Sequence, residues 1–174
     1  GTNPVSNAAH MAAEWVRYDK GRSKFWEIGN EVYGSWEAGY RIDKTLNKDG
    51  QPEYINWTLS GQHCLVFIDS MKTAAQKIGV DIKIGVVMVE GSSTSSTWNK
   101  EVATQVGDKA DFYVVHSYFT PYNQNSDVPT ILNSYTKTGG YKTYVWNEVA
   151  KAGKPNIPVA LTEYNIFAVG SNQP

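Results

Sequence analysis

Apolar residues along this chain fall into blocks whose period changes from helical to extended and back. Ala8, Ala9, Met11, Ala12, Trp15 and Val16 recur at helical spacing behind Asn3 in a capping place and Pro4, suited to a first turn. The spacing predicts a helix over residues 4–18, ended by Gly21. Residues 24–29, Lys-Phe-Trp-Glu-Ile-Gly, then read as a short strand, aromatic and β-branched. Residues 30–54 are rich in Gly, Asp, Asn and Lys and show no period; a connection that long in a compact domain is functional or mobile. Leu59, Val66, Phe67, Met71, Ala74, Ala75 and Ile78 restore the helical period over 57–78, with Gly79 placed for a left-handed C-terminus. Residues 82–89 are a near-continuous apolar run, as in a strand covered on both faces. A short helix over 98–106, a strand over 111–118, one or two helices ending at Gly153 and a strand over 158–163 complete the order αβ-αβ-αβ-αβ.

Strands alternating with helices imply crossover connections and a parallel sheet, open or closed into a barrel. The strands end in polar or ionisable residues: Asn30-Glu31, Glu90, His116-Ser117 and Glu163. Active sites of α/β barrels collect at the C-terminal ends of their strands, so a (β/α)8 arrangement is favoured. An open doubly wound sheet is the alternative, although neither GxGxxG nor GxxxxGK[ST] occurs. The serine- and threonine-rich run at 91–97 reads as a solvated loop.

Composition removes several function classes. Sixteen Lys and Arg against 17 Asp and Glu leave a net charge of -1, which gives no electrostatic reason to expect nucleic acid. No stretch has the length and apolarity of a membrane helix, and the N-terminus lacks the features of a signal peptide. The one cysteine, Cys64, cannot form an internal disulfide and reads as a small buried hydrophobe. His10 and His63 have no second ligand at metal spacing. Aromatic residues make up 13% of the chain, which fits a core as readily as a ligand groove.

Glu31 and Glu163 each fall at the C-terminal tip of an expected strand, and in a barrel both would point into one cleft. Glycosidic cleavage needs a proton donor for the leaving oxygen and a second carboxylate that attacks or stabilises the oxocarbenium-like centre. A single strand-end Glu is by default a solvated or salt-bridged carboxylate, so position alone leaves function open. Trp36, Tyr33 and Tyr40 in the long loop suit either a stacking platform for sugar rings or an anchor for their own loop. Glu27 reads as a barrel-interior residue or a structural ion-pair partner, Glu90 as a solvated loop residue ahead of a substrate contact, and Trp98 as helix core. Asn56-Trp57-Thr58 matches a glycosylation acceptor.

The run Trp26-Glu27-Ile28-Gly29-Asn30-Glu31 resembles the Asn-Glu motif of the large clan of retaining (β/α)8-barrel glycoside hydrolases. In that clan the motif closes the fourth strand. Leu161-Thr162-Glu163-Tyr164-Asn165 is similar to its seventh-strand end, and His116 with Tyr118 to its sixth. Gly1-Thr2-Asn3-Pro4, the helix ending Glu14-Trp15-Val16-Arg17-Tyr18 and the Asn-Glu run most resemble α-L-arabinofuranosidases and related hemicellulases. The resemblance implies Glu31 as general acid/base and Glu163 as nucleophile. It implies that Asn30 hydrogen-bonds the substrate 2-hydroxyl, that His116 braces the carboxylates or contacts sugar, and that Tyr118 and Tyr164 flank the site. The mechanism requires Glu31 protonated and Glu163 ionised near neutral pH. Neither a metal nor an organic cofactor is implied; the partners are a carbohydrate, from a plant or algal polysaccharide, and the remainder of a barrel, in a secreted or extracellular setting.

A non-catalytic sugar-binding protein on the same scaffold, and an open-sheet enzyme of unrelated chemistry, are the other readings. A full barrel takes about 250 residues, whereas this chain has 174. Aligned to the motifs, residues 1–174 run from the end of a third strand to just past a seventh. The expectation is a partial (β/α)8 TIM barrel, strands 4 to 7 with their helices, inactive and poorly stable by itself.

Overall fold

A computed structural model describes residues 2–92, 97–122 and 124–167. The expected order is observed: α1 (Val5–Asp19), β1 (Phe25–Ile28), α2 (Trp57–Lys77), β2 (Lys83–Val87), α3 (Trp98–Val106), β3 (Phe112–Tyr118), α4 (Val128–Asn133), α5 (Thr138–Ala150) and β4 (Val159–Asn165). Short 3-10 turns lie at Ala38–Tyr40 and Ser134–Lys137. The strands form one parallel sheet in the order β1-β2-β3-β4. Each strand pairs with the next in sequence, and the sheet curls into half of a (β/α)8 barrel with helices on its convex side.

The helices pack side by side, α1 on α2, α2 on α3 and α3 on α5. Between them and the sheet lie Val16, Ile68, Met71, Ile84, Val86 and Val102, all at most 3% exposed. Each such side chain contributes about 1.5–3 kcal/mol by leaving water. Cys64 and Trp98 are buried here too. On the concave side Gly85 makes room for the Phe112 ring, which a Cβ at 85 would approach to 2.3 Å. Phe112 in turn meets Phe25 edge-on at 6.0 Å. The two central strands are covered almost throughout, while β1 and β4, the sheet edges, stay partly open. A groove of about 560 Å³ runs along the concave face past Phe25, Glu27, Phe112 and Thr162.

Several local expectations need correction. Helix α1 begins at Val5 with Pro4 as its N-cap and no side-chain cap; Asp49 Oδ2 accepts from the Val5 amide at 3.1 Å instead. Asn3 accepts through its carbonyl from Asn47 Nδ2 at 3.0 Å. The Asn56 side chain caps α2, accepting from the Leu59 amide at 2.8 Å. At the other end of α2, Gly79 (φ 70°) and Val80 donate to the carbonyls of Gln76 and Ala75, the paired bonds of a glycine-terminated helix. The connection over 30–54, without a period in sequence, carries ordered contacts of its own. Arg41 and Tyr54 form an antiparallel bridge, Tyr40 lies 5.5 Å from Tyr54 and Ile42 is buried. Of the serine-threonine run, residues 93–96 lie outside the described residues. Among the described residues no helix is long and apolar enough to cross a membrane.

Candidate active site

Glu31 and Glu163 reach the same place by different local routes, and neither sits at a strand tip as expected. Strand β1 stops at Ile28 because Gly29 turns the chain with φ 82°. Glu31 follows at φ 38°, a left-handed conformation that costs free energy in a non-glycine residue and is concentrated at functional sites. Its carbonyl accepts from the Gly34 amide at 2.7 Å, and the turn folds Trp36 back over Gly34. Trp36 Nε1 then donates to Glu31 Oε2 at 2.5 Å.

Glu163 lies inside β4, which runs on to Asn165. Between β3 and β4 the register steps from Val115 opposite Leu161 to His116 opposite Glu163, so Thr162 is an extra residue on β4. In a regular strand Thr162 and Glu163 would face opposite sides of the sheet. The bulge re-aims them. Thr162 Oγ1 donates to Glu27 Oε2 at 2.8 Å, while Glu163 Oε1 accepts from the Tyr118 hydroxyl at 3.0 Å.

His116 joins these groups. It is 4% exposed, with Nε2 at 2.9 Å from Glu27 Oε1 and Nδ1 at 3.3 Å from Glu31 Oε1 and 3.6 Å from Glu163 Oε2. The hydrogen bond to Glu27, opposed by burial and aided by the charges of Glu27 and Glu163, holds the imidazole above its ordinary pKa. One carboxylate oxygen from each of Glu31 and Glu163 and one His116 nitrogen lie within 4.8 Å of one another. A divalent cation also fits three groups at that spacing, but each is already engaged in a hydrogen bond within the cluster.

Of the residues expected at the site, the fold brings together Glu31, Glu163, His116, Tyr118 and Trp36. Asn30 is exposed beside them. Tyr164 is 63% exposed and its ring stacks on Phe119 at 5.9 Å. Tyr33 packs edge-on between Trp98 (5.6 Å) and Trp36 (6.3 Å). Burial, followed by the charge of Glu31, pushes its hydroxyl far above the usual range. Glu90, read as a solvated loop residue, is half-buried; burial raises its pKa and the nearby Glu31 adds to the effect.

Sequence reading passed over Thr162, Phe167 and Tyr122. Thr162 was detectable as the one polar side chain before Glu163 in an otherwise apolar strand. Phe167 stacks on Tyr118 at 4.5 Å and meets Tyr122 edge-on at 4.9 Å, so an aromatic wall stands beside Glu163. Its only sequence signal was closeness to Glu163.

No family model matches the chain, and no curated protein does. Solved structures do. The α-L-arabinofuranosidase from Thermotoga maritima in its arabinose complex is similar at 24% identity and a TM-score of 0.63, over 98% of this chain and 34% of that one. The thermostable family 51 (GH51) α-L-arabinofuranosidase from Thermotoga petrophila shares 25% identity over 85% of this chain and 26% of its own, TM-score 0.57. The family 51 enzyme from Bifidobacterium longum shares 18% over 83% and 27%, TM-score 0.58. The chain spans about a quarter to a third of the length of these structures. The likeness establishes the fold, a partial (β/α)8 barrel resembling the glycoside hydrolase barrels of α-L-arabinofuranosidases.

Proposed function

We propose that residues 1–174 carry the catalytic pair of a retaining glycoside hydrolase of arabinofuranosidase type, acting on a plant or algal polysaccharide. One observation carries the reading: Glu31 and Glu163, from opposite edges of the half-barrel, present oxygens within 4.8 Å of each other around a buried histidine. Retaining glycosidases hold their carboxyls about 5–5.5 Å apart, whereas inverting enzymes need roughly 6.5–9.5 Å to admit water. The spacing supports double displacement.

In that reaction Glu163 attacks the anomeric carbon while Glu31 gives its proton to the departing oxygen. Water, deprotonated by Glu31, then releases the sugar from Glu163. The Tyr118 hydroxyl donates to Glu163 Oε1 and fixes the orientation of the carboxylate for attack. Trp36, 63% exposed, offers a ring face to the sugar. Asn30, exposed after the β1 turn, is the residue assigned here to the 2-hydroxyl, and the open strand edges suit completion by further barrel strands.

The test is turnover of an aryl α-L-arabinofuranoside by the full-length protein. Glu163→Gln is expected to lower kcat by about 10⁴-fold or more, and Glu31→Gln by about 10²–10⁴-fold with a poor leaving group. Unchanged turnover in either variant refutes the assignment.

A further inference from the structure

Glu27 is not one of the two carboxylates proposed to react, yet its two oxygens are both committed. Oε1 lies 2.9 Å from His116 Nε2, and Oε2 accepts the Thr162 hydroxyl at 2.8 Å. We propose that Glu27 is a positioning residue of the hydrolytic site, fixing the tautomer of His116 so that its Nδ1 and Glu31 share one proton, the proton the leaving oxygen must receive. This inference rests on the glycosidase reading above.

An ionised carboxylate only accepts, so the short contact to Glu27 requires a hydrogen on Nε2. With Nε2–H fixed, two states satisfy the 3.3 Å contact between Nδ1 and Glu31 Oε1. Either a neutral ring accepts from protonated Glu31, or an imidazolium donates to ionised Glu31. They contain the same number of protons and differ by one transfer across that contact. The other neutral tautomer would set the Nε2 lone pair against the Glu27 carboxylate. Trp36 N–H holds Oε2 of Glu31, which leaves Oε1, the oxygen facing His116, to carry the proton.

The surroundings bear on the same balance. His116 is faced by Glu27 from β1, Glu31 from the turn after it and Glu163 from β4. The charge of Glu90, after β2, also reaches it, and Tyr118 ties up the far oxygen of Glu163. In the chemical step the Glu31 O–H bond breaks, the proton goes to the glycosidic oxygen as its bond to the anomeric carbon breaks, and Glu163 forms the new bond to that carbon. His116 ends the step neutral on Nδ1, and water restores the Glu31 proton in the second half.

A Glu27 that merely braced β1 against β3 and β4 would act on every substrate alike. Proton supply does not. In the full-length protein, Glu27→Gln is expected to lower kcat/KM about 10–100-fold for phenyl α-L-arabinofuranoside, whose leaving group needs protonation. For the 2,4-dinitrophenyl glycoside, which leaves unaided, the expected loss is under about 3-fold. Thr162→Val, which frees Glu27 without touching its charge, should show the same inequality in weaker form. Equal losses on the two substrates, or no loss, overturn the proposal. Long-range ¹H–¹⁵N spectra of histidine-labelled protein, with His116 assigned through His116→Asn, give a second readout. Loss of the Nε2–H signature in Glu27→Leu, which removes the acceptor that a glutamine would keep, supports the proposal, and an unchanged signature in that variant overturns it whatever the kinetics. A wild-type protein that cleaves no glycoside refutes the glycosidase reading; an active wild type with an indifferent Glu27→Gln refutes this inference alone.

Discussion

The acid/base role proposed for Glu31 brings the turn around Gly34 into the proposed site, although what Gly34 meets is the Trp36 ring. A Cβ built at Gly34 falls 2.3 Å from both Cε2 and Cζ2 of Trp36 and 2.7 Å from Cη2. Ordinary contact begins at 3.4 Å, so in Gly34→Ala the indole must retreat by about 1 Å. Its Nε1 now lies 2.5 Å from Glu31 Oε2; a retreat of that size leaves the bond at or beyond its useful limit. Hydrogen bonds to charged groups contribute about 1.5–3 kcal/mol when buried. Trp36 is 63% exposed, which brings the loss below that range, to about 1–1.5 kcal/mol or roughly 5–12-fold in rate.

Stability should change little, because an exposed ring can swing into solvent instead of straining the core. Gly34→Ala is therefore expected to reduce kcat/KM on an aryl glycoside about 5–12-fold with a thermal midpoint within roughly 2 °C of wild type. Trp36→Phe removes the same bond from the other side, and the double variant should be no worse than the poorer single one. Additive losses, or a Gly34→Ala enzyme of full activity, would show that the Gly34–Trp36 contact does not act through Glu31.

Two further expectations concern stability. Asn99 Oδ1 accepts from the Val89 amide and Nδ2 donates to the Val89 carbonyl, both at 2.8 Å and buried; Asn99→Ala strands both groups and should cost about 2–4 kcal/mol by denaturant titration of the full-length protein, a loss under about 0.5 kcal/mol contradicting the accounting. His116 is held above its ordinary pKa of 6.5, first by the hydrogen bond to Glu27, so its stabilisation is complete below that value and fades as pH rises through the higher folded-state value. The stability gap between wild type and His116→Gln should accordingly narrow above neutrality, and a gap that widens with pH would mean that the neutral ring is the stabilising form.

Element order was legible because each block signals itself locally. The run Ile82 to Val89 is apolar on both faces since β2 is sandwiched between helices and the concave side, and Gly79 marks the end of α2 through its own positive φ. The segment from Asn30 to Tyr54 was opaque for the opposite reason. Its order comes from contacts without a local repeat: Asp49 on the distant Val5 amide, Asn47 on the distant Asn3 carbonyl, and Arg41 paired with Tyr54 at the end of the segment itself. No local period records such contacts. The same distinction explains Asn56, where a three-residue pattern suggested a glycan and the helix that begins one residue later uses the side chain as its cap.

The candidate site was legible as a set of residues but not as an arrangement, and the reason is parity. Strand periodicity puts His116 and Tyr118 on one face, as observed, yet applied to β4 it would turn either Thr162 or Glu163 away from them. The extra residue opposite the step from Val115 to His116 removes that conflict. It lets Thr162 reach Glu27 and Glu163 reach Tyr118, so one irregularity in the ladder serves both the bracing of His116 and the placement of the second carboxylate. Glu27 gains its meaning from the same event. Four residues before Glu31 it had equal claims as an ion-pair partner or a site residue, and the bulge supplies the threonine that separates them. A serine or threonine immediately before a strand-borne glutamate, paired with an inward glutamate on the opposite edge of a half-barrel, is thus the sequence trace this arrangement leaves. Deleting Thr162 is the direct test, because regular pairing then keeps Glu163 opposite His116 on the concave face while Glu27 loses its threonine; turnover should fall as in Thr162→Val, and its complete loss would show that the bulge does more than supply that hydroxyl.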